Sequence, residues 1–329
     1  MGPLNRAVMK SAVAAGREAF DASDRAEWLT RRERDVTASA AAALLAASPY
    51  ATPFQLYMRK AGIAAPEEET PAMRRGTLLE PVHAEIIAAE RPEWQVERGT
   101  IYIRDPGARI GATPDVFAVR DAQIIPVQLK SVSPEAFRKS WRIEGSRDAE
   151  PPAYVQIQAM VEAAMMGADC AVVSAMVVGN GIDIHLFDVD VRPKIIAALR
   201  EATADFWARI AEGRPYDPDF LADGDFIIDN WRDRGAPQVD LSDDARAVAL
   251  MSERTTLKDA EKAGAEAAKA RKAIDAEIVG MLGNASRALI GAEIFCAARR
   301  LRKGFVVEPS EFTVCTVKSA AQKAAKEAA

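Results

Sequence analysis

The hydrophobic period of the chain changes along its length, and that change limits the fold more than any other feature. Up to about residue 90 the apolar residues recur at helical spacing. Residues 1–35 are polar and mostly helical in pattern, and Asp35-Val36-Thr37-Ala38-Ser39 opens an alanine-rich helix to about residue 47. Thr37 or Ser39 suits its N-cap. A short amphipathic helix at 54–61 and a long one at 73–90 follow, with an acidic loop at 64–71 between them. The period then shortens to that of strands at 95–103, 110–119 and 123–131, with turns at Asp105-Pro106-Gly107 and Arg120-Asp121. Pro151-Pro152 starts a helix to about Gly167. Two more strands, 171–178 and 182–189, form a hairpin through Gly179-Asn180-Gly181, and 191–210 is helical. This order predicts an α/β fold with a mixed central sheet flanked by helices.

The chain has 329 residues, a length that favours about two domains. Residues 1–220 are expected to form the α/β domain. The Asp-, Pro- and Gly-rich stretch at 221–240 reads as a linker. Residues 241–329 read as a mostly helical extension: one long Ala/Glu/Lys helix over 242–282, short strands within 288–316, and an Ala/Lys tail from 319 that frays. The three cysteines are odd in number and far apart, which argues against a disulfide framework and for a reducing, cytoplasmic setting. No apolar run is long enough to span a membrane. The N-terminal stretch is broken by Arg6, Lys10 and Arg17 and lacks a signal-peptide apolar region. The net charge of −5 argues only weakly against nucleic acid, because a local basic patch decides phosphate binding. From Glu253 onward there are 14 Lys/Arg and 10 Asp/Glu, a net of +4, which leaves −9 for the rest.

The strongest chemical constellation lies in two adjacent strands. Asp115 follows Thr113-Pro114, and Gln128 and Lys130 alternate in the next strand, so both point to one face. A hairpin would set that face beside Asp115. An acid, a second oxygen donor and a lysine make a site for a hard cation such as Mg²⁺, with a charge stabiliser beside it. Alone, Asp115 reads as a strand-end acid and Lys130 as an edge-strand lysine; together they point to a site. Glu80, on the upstream helix after Arg74-Arg75-Gly76, is a further carboxylate, though such residues are often surface ion-pair partners. His83 shares Glu80's helical face and reads as structural more often than as a ligand. Trp141, among Arg138, Lys139 and Arg142, could stack on a base while Arg142 holds phosphate, or pack on the core. There is no Walker-type phosphate loop and no sign of cysteine catalysis.

These residues resemble the PD-(D/E)xK nuclease superfamily, and within it the YqaJ-like viral recombinases that include phage lambda exonuclease. The resemblance runs from about Trp28 to Asp190. It rests on Val36-Thr37-Ala38-Ser39, Ser48-Pro49-Tyr50, Thr52-Pro53-Phe54-Gln55-Leu56-Tyr57, Arg75-Gly76 with Leu79-Glu80-Pro81, Ala112-Thr113-Pro114-Asp115, Gln128-Leu129-Lys130, and Pro152 to Tyr154 with Gln156 and Gln158. It implies an Mg²⁺-dependent exonuclease, with Mn²⁺ a possible substitute, that digests one strand of duplex DNA from its 5′ end. The product is a 3′ overhang for a single-strand annealing partner in a phage or prophage system within a bacterial cell. By position, Glu80 matches the helical acid, Asp115 the principal metal ligand, Gln128 and Lys130 the E-x-K pair, and the Leu129 carbonyl a further ligand. Gln156, ahead of Gln158, matches the glutamine that orients the site. Ser39 with Arg32 or Arg31 matches a 5′-phosphate pocket, and a trimeric ring is implied as well. The departure is Gln128, where the family usually has glutamate, though some members of the wider superfamily tolerate glutamine: a neutral amide replaces one unit of ligand charge. Two other readings therefore stay open, a DNA-end binding and recruitment module without catalysis, and an endonuclease of the same superfamily.

Overall fold

The chain begins with α1 (Pro3–Ala14), β1 (Glu18–Asp21), α2 (Arg25–Glu33), the two-residue strand β2 (Val36–Thr37), α3 (Ala38–Leu44), α4 (Pro53–Lys60) and the long α5 (Pro71–Glu90). Then come β3 (Gln95–Arg98), β4 (Ile101–Asp105), β5 (Ile110–Ala112), β6 (Val116–Arg120), β7 (Gln123–Val132), α6 (Pro134–Ser140), α7 (Ala153–Met166), β8 (Cys170–Val178), β9 (Ile182–Asp190) and α8 (Pro193–Glu212). This computed structural model describes residues 1–66, 69–143, 146, 148–231, 235–261, 264–302 and 310–319. They form two units, 1–215 and 216–329.

The first unit is built on a five-stranded mixed sheet ordered β3-β6-β7-β8-β9. Only β7 and β8 run parallel within it. A parallel neighbour needs a crossover, and α6 and α7 supply it. α7 lays Val155, Ala159, Met160 and Ala163 on the β8 side chains Ala171, Val173 and Ala175. α5 covers the opposite face with Ala84 and Ile87, against Val116, Ala118, Val127 and Leu129. Strand alternation therefore turns Val127 and Leu129 toward α5, and Gln128 and Lys130 away from it, toward α7.

Two of the strands predicted from the sequence divide between sheets. Residues 95–103 become β3 and β4, because β4 joins a second sheet ordered β1-β4-β5-β2. Residues 110–119 become β5 and β6, interrupted at 113–115, where Pro114 has no N–H for a ladder. The hairpin of β8 and β9 has the expected turn and pairs Val178 with Ile182.

In the second unit, α9 (Phe220–Asn230) occupies much of the stretch expected to be a linker, and Lys272 reaches Asp225 on it at 2.9 Å. After β10 (Val239–Asp240), the single helix expected over 242–282 is two, α10 (Ala245–Ala260) and α11 (Ala265–Leu282). The first ends at Ala260 and the second starts at Ala265, and Leu250 and Met251 of α10 share a core with Ile274 and Ile278 of α11. β11 (Arg287–Ile290), β12 (Glu293–Arg302) and β13 (Ser310–Ser319) complete a four-stranded sheet ordered β10-β11-β12-β13. The extension thus has an α/β core of its own. The tail after Ser319 lies outside the described residues. Among the described residues, no helix is long and apolar enough to cross a membrane, and all three cysteines are free.

Candidate active site

Asp115 sits where β6 begins, and glycine makes its position possible. The Gly99 N–H donates to the Asp115 carbonyl at 2.8 Å. A Cβ on Gly99 would stand 1.9 Å from the Pro114 carbonyl oxygen, so only glycine admits this approach. The Asp115 carboxylate then turns toward β7. Its Oδ2 accepts from the Leu129 N–H at 2.8 Å and from the Gln128 amide Nε2. The same Nε2 faces the Leu129 carbonyl at 3.3 Å. Gln128 is 2% exposed, and its amide oxygen has no hydrogen-bond partner among the described residues. Beside it, Lys130 Nζ donates to Gln158 Oε1 at 2.9 Å, and Gln158 Nε2 donates to Glu162 Oε1 at 3.1 Å. Glu80 closes the other side from α5, 3.6 Å from Arg98. Glu80, Asp115, Gln128, Lys130 and Gln158 line one cleft of 290 Å³ together with the Gly76 turn of α5.

The electrostatics show a site with too little positive charge. Burial raises the Asp115 carboxyl above its ordinary pKa, against the pull of Lys130 and the Leu129 N–H. Burial, then the charge of Asp115, raises Glu80, with Arg98 and Lys130 opposing. Burial, then Asp115, lifts Glu162 well above the carboxylate range. Three carboxyls displaced in one direction, with Lys130 and Arg98 opposing, mark a place that favours an added cation.

The donor set fits a hard divalent ion. Among the described residues no three acidic, histidine or cysteine side chains cluster tightly enough to hold a metal alone. The oxygens available are the Asp115 carboxylate and the Leu129 carbonyl, both facing the Gln128 Nε2, and the unpartnered Gln128 amide oxygen, which a turn of the amide would bring to them, with Glu80 across the cleft. Mg²⁺ takes a few such oxygens and keeps several waters.

Residues 27–169 match the YqaJ-like viral recombinase domain. Two crystal structures of an alkaline exonuclease from Laribacter hongkongensis also resemble the chain. One is 22% identical with a TM-score of 0.43; the other, in complex with dAMP, is 21% identical with a TM-score of 0.45. Each likeness covers 57% of this chain and 93% of that one. No curated protein matches the chain.

Within the matched stretch the cleft brings together Glu80, Asp115, Gln128, Leu129 and Lys130. Gln156 is not among them: its Nε2 donates to the Pro151 carbonyl at 2.6 Å, and Gln158 is the glutamine that meets Lys130. Trp141 is 2% exposed and packs between Phe137 and Phe187, with ring centroids at 5.9 and 5.7 Å, so its indole cannot stack on a base. Arg142 is exposed and lines a separate cleft with Arg138 and His185. His83 is buried against Ser174 Oγ at 2.7 Å, and burial lowers its pKa to about 4, so it is a neutral packing residue.

Ser39 and Arg32 do meet, at 3.5 Å, and Ser39 also contacts Thr37 at 3.1 Å. Arg31 is committed to Glu27 and the Phe20 ring. The turn between α2 and β2 is anchored by fully buried Asp35, which accepts from Tyr102 at 2.7 Å and twice from Arg104 at 2.8 Å. Lys60, which the sequence did not single out, lies beneath Arg32 and donates to its carbonyl at 2.6 Å. Burial and the neighbouring Arg32 lower its pKa to about 8. Glu162 was missed too. Its signal was a lone acid in an otherwise apolar helical stretch, Ala159 to Met166.

Proposed function

We propose that the chain is a metal-dependent exonuclease of the PD-(D/E)xK kind. It would degrade one strand of duplex DNA from the 5′ end and leave 3′ overhangs for annealing-type recombination in a phage or prophage system. The observation that carries this reading is the meeting of the buried Asp115 carboxylate and the Leu129 carbonyl at the amide of Gln128, with Lys130 beside them. The YqaJ-like domain supports the same reading. Asp115, the Gln128 oxygen and the Leu129 carbonyl would hold Mg²⁺ or Mn²⁺, and Glu80 would reach it through water. The bound ion supplies a water of lowered pKa and positive charge against the phosphate. Lys130, fixed by Gln158, orients the attacking water and offsets charge gathering on the phosphate oxygens. Arg32 and Ser39 receive the 5′-phosphate, since a guanidinium and a hydroxyl suit a phosphate dianion. Arg142 contacts the DNA backbone.

Duplex ends are thus the substrate, a single-strand annealing protein the partner, a homotrimeric ring the assembly, and the bacterial cytoplasm the setting. The test uses linear duplexes with 5′-phosphate or 5′-hydroxyl ends and a closed circle, each with Mg²⁺ or Mn²⁺. Progressive loss of the 5′-phosphorylated strand is expected. Binding without cleavage under either metal would identify a recruitment module instead, and discrete cutting of the circle an endonuclease.

A further inference from the structure

Behind the cleft lies a carboxylate that takes no part in the proposed hydrolysis. Glu162 is 1% exposed, one helical turn past Gln158 on α7. Its Oε1 accepts from Gln158, and its Oε2 is buried with no hydrogen-bond partner among the described residues. Burying an acid in this way is costly unless a nearby positive charge repays it. The positive side chain whose field reaches Glu162 is Lys130, and the carboxylate whose field reaches it is Asp115. Glu162 does not line the cleft. It lies behind Gln158, too deep to be a direct ligand and near enough to sense the charge at Asp115. On the same side of the sheet, Gln128 puts a neutral amide beside Asp115, its own oxygen unpartnered. The site therefore lacks a carboxylate on β7 and has an unexplained one on α7, with Lys130 and Gln158 between them.

We propose that Glu162 is the compensating charge of the metal site: once a cation is bound, it supplies from α7 the negative charge that Gln128 does not supply from β7. It acts as a positioning residue, through its field on the bound cation and by fixing Gln158, which holds Lys130. This inference rests on the metal-site reading given above. It explains why an acid stands in an apolar helix face, and how a site with a neutral ligand keeps its hold on a divalent ion.

The experiment is calorimetric titration of the full-length protein with Mn²⁺ in the absence of DNA, so that no turnover enters the readout. Asp115→Ala tests the underlying site. If the wild type binds no Mn²⁺, or if D115A binds like the wild type, the metal-site reading falls and this inference with it. Given binding that D115A removes, Glu162→Gln is expected to weaken Mn²⁺ affinity by about tenfold or more, as loss of an outer-shell partner does. The glutamine keeps an acceptor for Gln158, so packing is retained, and circular dichroism verifies the fold. Gln128→Glu combined with E162Q moves the charge back to β7 and should restore the wild-type affinity to within about twofold. Wild-type affinity in E162Q overturns the inference. So does an E162Q defect that the added Gln128→Glu change fails to repair, since the role would then be packing and not charge. Should E162Q misfold, Gln128→Glu alone decides: affinity must rise, because the ion then meets a second charge, and an unchanged affinity refutes charge limitation at this site.

Discussion

Asp115→Asn should make the protein more stable while removing its activity, and the size and pH dependence of that gain follow from the structure. Asparagine keeps the shape and keeps an oxygen for the Leu129 N–H, now at 2.8 Å from Oδ2. What it removes is a negative charge that burial disfavours and that also raises Glu80 and Glu162. A carboxyl raised above its unfolded value of 3.8 contributes stability that is fully present below that pH and is lost as pH rises through the folded value. The wild type thus carries the strain at neutral pH and sheds it in acid, whereas the amide variant never carries it. In chelator at neutral pH, D115N should gain about 1–2 kcal/mol, the usual scale for relieving a site strained for function. For a unit of this size that is a rise in Tm of about 2–8 °C. Differential scanning fluorimetry across the pH range should show the gap closing toward pH 4. Added Mg²⁺ should then reverse the order, since ligand at about a hundred times its Kd stabilises the wild type by about 2.7 kcal/mol and D115N hardly at all. A D115N protein less stable than the wild type in chelator, or one that Mg²⁺ stabilises equally, would refute the description of Asp115 as a desolvated metal-facing charge.

Lys130→Met should lower kcat about 10²–10³-fold, the effect of losing one charge-stabilising donor, in single-turnover assays on duplex ends; undiminished cleavage would remove Lys130 from the chemistry. His83 has a folded pKa of about 4, below its unfolded 6.5, so stability present above pH 6.5 is lost as the pH falls toward 4, by up to about 3 kcal/mol. Urea titrations should show His83→Gln flattening that loss. Trp141→Ala should destabilise the fold by about 3–5 kcal/mol through the cavity it leaves, with DNA affinity unchanged in the fraction still folded. Arg142→Ala should instead lower the slope of log affinity against log salt by about one.

Much of the site could be read along the chain because its parts obey short-range rules. Gln128 and Lys130 share a face by strand alternation, and Pro114 marks the interruption that brings Asp115 beside them. The glutamines of α7 obey no such rule. Gln156 and Gln158 are about 200° apart around a helix, and only the seating of α7 on the sheet selects which one meets Lys130. Trp141 stands among arginine and lysine in sequence, yet Phe187 of β9, far along the chain, closes over it. The extension follows the same division. An Ala/Glu/Lys composition specifies helix, but the division into α10 and α11 depends on Leu250 and Met251 meeting Ile274 and Ile278.

Sequence by itself therefore determined the element order, the mixed sheet and the acid, amide and lysine of the cleft, because each follows from local geometry and from periods of two or 3.6 residues. Tertiary structure alone decided which glutamine serves the lysine, which aromatic is buried and that Glu162 lies behind Gln158. Those outcomes depend on the rotation of whole helices against a sheet, which is set by packing between segments distant in the chain.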